Sequence, residues 1–238
     1  EALTTADFLD PVPILKNLAR GSQKGGDAKQ TTGLNQPKAL PLIDGDGYLY
    51  VSGVNGNYAS VPDESALDVT GDLTIEIDVT VSAITPQNPE SLLSKYNTIT
   101  GNRSYDLALQ TDGKISLVIS SDGSFQPSNS SISTNSLTSQ GIVDGQRITI
   151  KATWRQSDGR VQIVYKTRGG DFTQLGINLT ANAGSIYNSN TDVNIGAKQQ
   201  GTSTTAKAAI HSAKIYGSID DTNKVLDVDF TATNVRHG

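Results

Sequence analysis

From Leu42 onward, apolar and polar residues alternate with a period of two. In GDLTIEIDVTV, residues 71–81, Leu73, Ile75, Ile77, Val79 and Val81 fall on one side and Thr74, Glu76, Asp78 and Thr80 on the other, which predicts a strand with one wet face. YDLALQTDGKISLVISSDG predicts two strands joined at Asp112-Gly113, and RITIKATWRQSDGRVQIVYKTRGG repeats the arrangement around Asp158-Gly159. Further strands are predicted in DVNIGAKQ, AAIHSAKIYG and KVLDVDFTA. Many short strands, turns of Gly, Asp, Asn and Ser, and little helical periodicity predict an all-β fold, an antiparallel two-sheet jelly-roll sandwich. QPSNSSISTNSLTSQ, residues 126–140, is poor in apolar side chains and is expected to be a mobile or ligand-held loop.

The first 40 residues break this pattern. Ile14, Leu15 and Leu18 are at helical spacing behind Pro13, which suits a helix start, so one short helix is expected there. GSQKGGDAKQTTGLNQPK follows with too few apolar residues to fold alone. Residues 1–40 therefore read as an N-terminal arm, or as a strap lying on its own domain, and residues 41–238 as one jelly-roll domain. Pro11 to Leu40 carries Lys16, Arg20, Lys24, Lys29 and Lys38 against Asp27, a local charge of +4 in a chain of net charge −5.

That net charge argues against a general nucleic-acid binder. Cysteine is absent, which removes thiol catalysis, thiolate metal sites and disulfides. Methionine is absent too, at position 1 as elsewhere, so removal of an initiator, with or without a longer leader, is expected. Ser, Thr and Asn make up 65 of 238 residues while charged residues are 18%, so the surface is polar more than ionic. No run approaches the roughly 20 apolar residues of a membrane span, and membrane insertion is not expected.

The order of pieces between residues 48 and 81 is specific: YLYVSGVNGNYASVPDESALDVTGDLTIEIDVTV has an aromatic-rich strand, a Gly-Asn turn into Tyr58 to Pro62, an Ala-Leu-Asp segment at Ala66 to Asp68, then Gly-Asp-Leu-Thr-Ile-Glu. It resembles the opening of laminin G-like, concanavalin A-like jelly-roll domains. SLLSKY at 91–96, the two hairpins, NIGAKQQ at 194–200 and AAIHSAKIYGSI at 208–219 follow in that family's order, so the resemblance covers about 42–231. The tip after Tyr165, Lys166-Thr167-Arg168-Gly169-Gly170, departs from the family's short Asp-Gly turn. Domains of this kind occur in phage structural proteins and in secreted bacterial adhesion modules. Some hold calcium on a loop rim, so the resemblance makes calcium the one cofactor to consider, with Asp44, Asp46, Asp63 and Glu64 as oxygen ligands. Asp44-Gly45-Asp46-Gly47 lacks the rest of a calcium-loop pattern, and an ordinary turn competes with that reading.

Glu76-Ile77-Asp78 is similar to the start of the family-16 glycoside hydrolase strand, whose alternate acids act as nucleophile, tuning group and proton donor. Thr80 and Val81 occupy the place of the third acid, and neither can protonate a leaving group, so no catalytic residue is assigned. His211 is expected on a sheet surface or facing solvent, and no Gly-x-Ser-x-Gly turn presents a nucleophile to it. Trp154 shares parity with Ile148, Ile150 and Ala152 and is expected in the core. Tyr96, Asn102, Arg103 and Tyr187 lie in expected loops and are the candidate sugar contacts, with Asn97, Asn188 and Asn190 beside them; ordinary turn chemistry is their competing reading.

Taken together, these features lead us to expect a non-enzymatic virion structural protein, a capsid decoration or fibre subunit. Its arm would engage other virion proteins, it would form a homo-oligomer, and its projecting domain would bind a host-surface polysaccharide. The alternative is a secreted bacterial carbohydrate-binding or adhesion module.

Overall fold

The alternation of apolar and polar residues carries over into strands. The computed structural model describes residues 47–98, 101–181 and 184–231, together with the backbone of residues 14–15, 28–29 and 38–41. The strands are β1 (Ile14–Leu15), β2 (Ala28–Lys29), β3 (Lys38–Pro41), β4 (Gly47–Ser52), β5 (Ala59–Val61), β6 (Leu73–Val81), β7 (Glu90–Asn97), β8 (Asn102–Leu109) and β9 (Ile115–Ile119). They continue with β10 (Ser130–Ile132), β11 (Arg147–Trp154), β12 (Arg160–Thr167), β13 (Thr173–Gln174), β14 (Leu179–Thr180), β15 (Val193–Ile195), β16 (Lys207–Tyr216) and β17 (Lys224–Asp229).

Two antiparallel sheets result, and the fold is an all-β jelly-roll sandwich. One sheet runs β1-β2-β5-β15-β7-β8-β9-β10, and the other β13-β12-β11-β6-β16-β4-β3. β14 also pairs with β12, and β17 pairs with β16. Because β4 pairs with Lys207–Ile210 and β17 with Ser212–Tyr216, two strands share one edge of β16. The inner faces meet in one apolar cluster: Leu73, Ile75, Ile77, Val79, Ile148, Ile150 and Trp154 come from one sheet, and Leu93, Tyr105, Leu107, Leu117 and Ile195 from the other. Trp154 is buried, as its parity predicts.

The two predicted Asp-Gly turns form. Asp112 accepts the Lys114 amide at 3.2 Å and Asp158 the Arg160 amide at 3.1 Å, while Gly113 and Gly159 take φ of +77° and +67°. Only glycine enters that region at little cost. After Tyr165, Gly170 closes a turn on Thr167, and β13 then returns onto β12.

Two expectations are corrected. Where helical spacing predicted a helical turn, Ile14–Leu15 is a strand paired with β2, and β2 joins β5. Segment 126–140, expected as a loop, instead contributes a strand and a core side chain: Ser130–Ile132 pairs with β9, Leu137 is fully buried, and Ser133 Oγ accepts the Ile115 amide while donating to the Asn135 carbonyl. Serine hydroxyls and one buried leucine do here what apolar alternation does elsewhere. His211 lies beside Thr80 on the outer face of its sheet, as expected, yet it is buried there, and β16 slips register between Ile210 and Ser212. A bulge breaks parity at one residue, and alternation cannot foresee it.

Candidate binding site

The acids of β6 come to the outer face of their sheet already neutralised. Glu76 lies 3.1 Å from Lys151 Nζ and 3.2 Å from Lys214 Nζ, and Lys151 also pairs with Asp221. Burial pushes the Glu76 carboxyl up, but the two lysines outweigh it and hold the group below its ordinary value. Arg147 forks Asp78, with Nη2 at 2.7 Å and Nε at 3.0 Å. At the third position of the pattern, Thr80 Oγ1 meets His211 Nε2 at 3.1 Å, and Tyr48 stacks edge-on against that ring at 5.8 Å.

The four expected sugar contacts gather at one end of the sandwich, around the β7–β8 hairpin. Arg103 donates to the carbonyls of Gly123 and Thr98 at 3.1 and 3.3 Å and lies 5.5 Å from the centre of the Tyr96 ring, with Lys198 at 5.1 Å from the same ring. Asn102 donates to Asn190 Oδ1 at 2.7 Å. Tyr187 packs on Gly123, and its carbonyl accepts Ser104 Oγ at 2.6 Å. These bonds tie three loops together and engage the Arg103 guanidinium and the Asn102 amide nitrogen within the protein. Tyr96 is 4% exposed and offers no open stacking face. Gly123 is the keystone: at φ +80°, an added Cβ would stand 2.5 Å from the Gly101 carbonyl oxygen and 3.0 Å from the Tyr187 ring. Gly123→Ala is expected to destabilise the domain by about 1–3 kcal/mol in urea unfolding. An unchanged midpoint would mean that this rim is slack.

Among the described residues, the acidic candidates Asp63 and Glu64 do not form a cation site. Asp63 holds Lys95 Nζ, which also lies 2.9 Å from Asp68 Oδ1, so an ammonium stands where a metal would have to sit. Glu64 is exposed, and Asp44 and Asp46 lie outside the described residues. Among the described residues no three His, Asp or Glu side chains cluster in a metal-holding arrangement.

Among the described residues, a cleft opens at the other end of β7. This cleft of about 700 Å³ is walled by the β4–β5 turn, the β6–β7 loop and the residues leading into β16. Ser52, Asn55, Gln87, Asn88, Thr205 and Glu90 supply its polar lining. The walls are fastened: the Thr205 hydroxyl donates to the Gly53 carbonyl at 2.9 Å, the Ser82 amide to the Lys207 carbonyl at 2.9 Å, and the Ile84 amide to Asp144 at 2.7 Å. Ile84 is buried as an anchor, and Pro86 and Pro89 stiffen the loop it anchors. Asn55, Gln87 and Asn88 make no side-chain hydrogen bond among the described residues and are exposed. Glu90 accepts the Lys207 amide at 3.2 Å, and burial pushes its carboxyl up against the opposing pull of Lys207.

The segment 197–206 joins the two ends. Its Gln199 amide bonds the Tyr96 carbonyl at 3.0 Å, and its Thr204 carbonyl accepts the Ser91 amide at 2.9 Å. Gln199, Gln200 and Thr204 all have positive φ, of 56°, 53° and 47°. For a β-branched threonine this is costly backbone, of the kind that persists where surroundings over-determine it. The cleft residues were not recognisable in the sequence: they come from three separate loops, and no motif links them.

No protein-family model matches the chain, and no curated protein matches it. Solved structures match in fold. The binding domain of Paraclostridial Mosquitocidal Protein 1 aligns with TM-score 0.56 and 13% identity, over 94% of this chain and 50% of that one. The CBM40 module of the Ruminococcus gnavus IT-sialidase, bound to α2,3-sialyllactose, aligns with TM-score 0.51 and 15% identity, over 73% of this chain and 92% of the module. Full-length tailspike protein 2 from Escherichia coli O157:H7 bacteriophage CAB120 aligns with TM-score 0.54 and 11% identity, over 100% of this chain and 31% of the tailspike. The chain therefore spans half of the first protein and under a third of the tailspike. At these identities the likeness is one of fold.

Proposed function

We propose that this chain is a non-enzymatic, glycan-binding jelly-roll domain displayed by a virion as part of a capsid decoration or fibre subunit, with the cleft as its sugar site. The cleft carries the reading. Its lining is rich in hydroxyl and amide groups, which both donate and accept hydrogen bonds, as sugar hydroxyls do. A bound sialyllactose on a module of the same fold, and a phage tailspike that matches over the whole chain, support glycan binding and virion display respectively. Glu76 and Asp78, each held by cations, support a noncatalytic role.

Each hydrogen bond to a sugar contributes about 0.5–1.5 kcal/mol net, so one site is weak and many copies on a particle are strong. The test is a glycan array probed with monomer and with a streptavidin-displayed tetramer. Binding is expected chiefly for the tetramer. The double variant Gln87→Ala, Asn88→Ala should weaken it roughly tenfold or more, about 1.4 kcal/mol. Binding unaffected by that variant would remove the cleft as the site, and release of reducing ends from any bound glycan would remove the noncatalytic reading. Recovery of the chain from purified particles in repeated stoichiometric copies is expected. Recovery only from culture medium would favour a secreted module, the reading for which the 92% coverage of the sialidase module speaks.

A further inference from the structure

We infer that the cleft selects neutral sugars through a pair of adjacent hydroxyls donated to Glu90, and discriminates against sialylated and uronic-acid glycans. This rests on the cleft being a glycan site, and it names the class of glycan.

Glu90 stands at the first residue of β7, where the ladder to β8 begins opposite Leu109 and fixes its backbone. One carboxylate oxygen, Oε2, accepts the Lys207 amide at 3.2 Å, and Oε1 has no hydrogen-bond partner among the described residues. The residue is half-buried in the cleft wall. A carboxylate so placed is partly desolvated and keeps spare acceptor capacity at an oxygen that a ligand can reach, and partial burial also pushes its pKa up. Two hydroxyls on neighbouring carbons can supply what is missing, one to Oε1 and one to the remaining lone pair of Oε2.

The rest of the lining fits the same partner. Asn55, Gln87 and Asn88 have amide groups not engaged with the protein among the described residues, and can complete the shell of a hydroxyl that donates to Glu90. Pro86 and Pro89 hold that loop in shape, so little ordering is required on binding. Charge decides against an acidic sugar. Lys207 is the one cation lining the cleft, and its side chain is exposed toward solvent, whereas Glu90 lies deeper. An anionic ligand would bring its carboxylate toward a half-buried carboxylate and gain only a screened ammonium in return.

The experiment uses the intact chain as a biotinylated tetramer on immobilised dextran, mannan and galactan, and on polysialic acid, alginate and hyaluronan. Binding to at least one neutral polymer is expected, with every acidic polymer at least tenfold weaker. Glu90→Gln keeps an oxygen for the Lys207 amide, so the thermal midpoint should hold. It removes the charge and should weaken neutral binding tenfold or more. Equal or tighter binding to an acidic polymer, or neutral binding unchanged in Glu90→Gln, overturns the role given to Glu90 while leaving glycan binding in place. Absence of binding to all six overturns both this inference and the sugar reading of the cleft.

Discussion

Replacing Lys95 with alanine is expected to cost about 3–5 kcal/mol of folding stability, the range found when one partner of a buried ion pair is removed. The side chain is 1% exposed, and its ammonium sits between Asp63 and Asp68. Asp63 follows β5 and Asp68 ends the 3-10 turn at Ser65–Leu67, so one lysine of β7 fastens the whole connection between β5 and β6. Tyr105, its ladder neighbour, is fully buried, and its hydroxyl has no hydrogen-bond partner among the described residues. Burial, and then the charges of Asp68 and Asp63, keep that hydroxyl protonated. Without Lys95, two carboxylates would face each other beside it with no counter-charge. Urea unfolding should show the loss, and Asp68→Asn in the Lys95→Ala background should recover part of it by removing the repulsion. A loss under about 1 kcal/mol would mean that the trio behaves as an exposed pair does.

The second large effect is expected at Trp154. It ends β11, opposite Leu73 of β6 and Val161 of β12, and is 1% exposed. Trp154→Ala would remove the largest core side chain and leave a cavity that strands held on both sides cannot close, for a loss of about 3–5 kcal/mol. Trp154→Phe should recover more than half of that. If alanine costs under 1 kcal/mol, the sheets must close over the gap, and Trp154 is not a core support.

What was legible in the sequence follows from the physics of each feature. A strand with one buried face writes its geometry into every second residue, so β6 and the β11–β12 hairpin could be read directly, as could Trp154. An Asp-Gly pair states its own turn, because the aspartate supplies an acceptor and the glycine the positive φ. Segment 126–140 could not be read in this way: what orders it is hydroxyls bonding to local backbone, and Ser133 looks like any other serine until Ile115 is placed beside it. His211 lies on a sheet surface as expected, and what alternation could not show was that Thr80 and Tyr48 bury it there. At the expected sugar rim the sequence located residues that lie at one end of the fold, Tyr96, Asn102, Arg103 and Tyr187, but could not reveal that Arg103 stacks on Tyr96 or that Asn102 bonds Asn190. The cleft stayed hidden because Asn55, Gln87, Glu90 and Thr205 meet only after three loops converge.

The strands at the sheet edges are unequal: β10 has three residues and β1, β13 and β14 two each, whereas β3 has four and β17, paired with β16 alone among the described residues, has six. An unpaired strand edge is a template for another chain, and its hazard grows with its length. Copies crowded on one surface would meet edge to edge far more often than molecules in dilute solution. The two- and three-residue edges offer a neighbour only one or two backbone hydrogen bonds, too few to nucleate a shared sheet. Where these strands stop therefore limits edge-to-edge pairing at every such edge except those of β3 and β17.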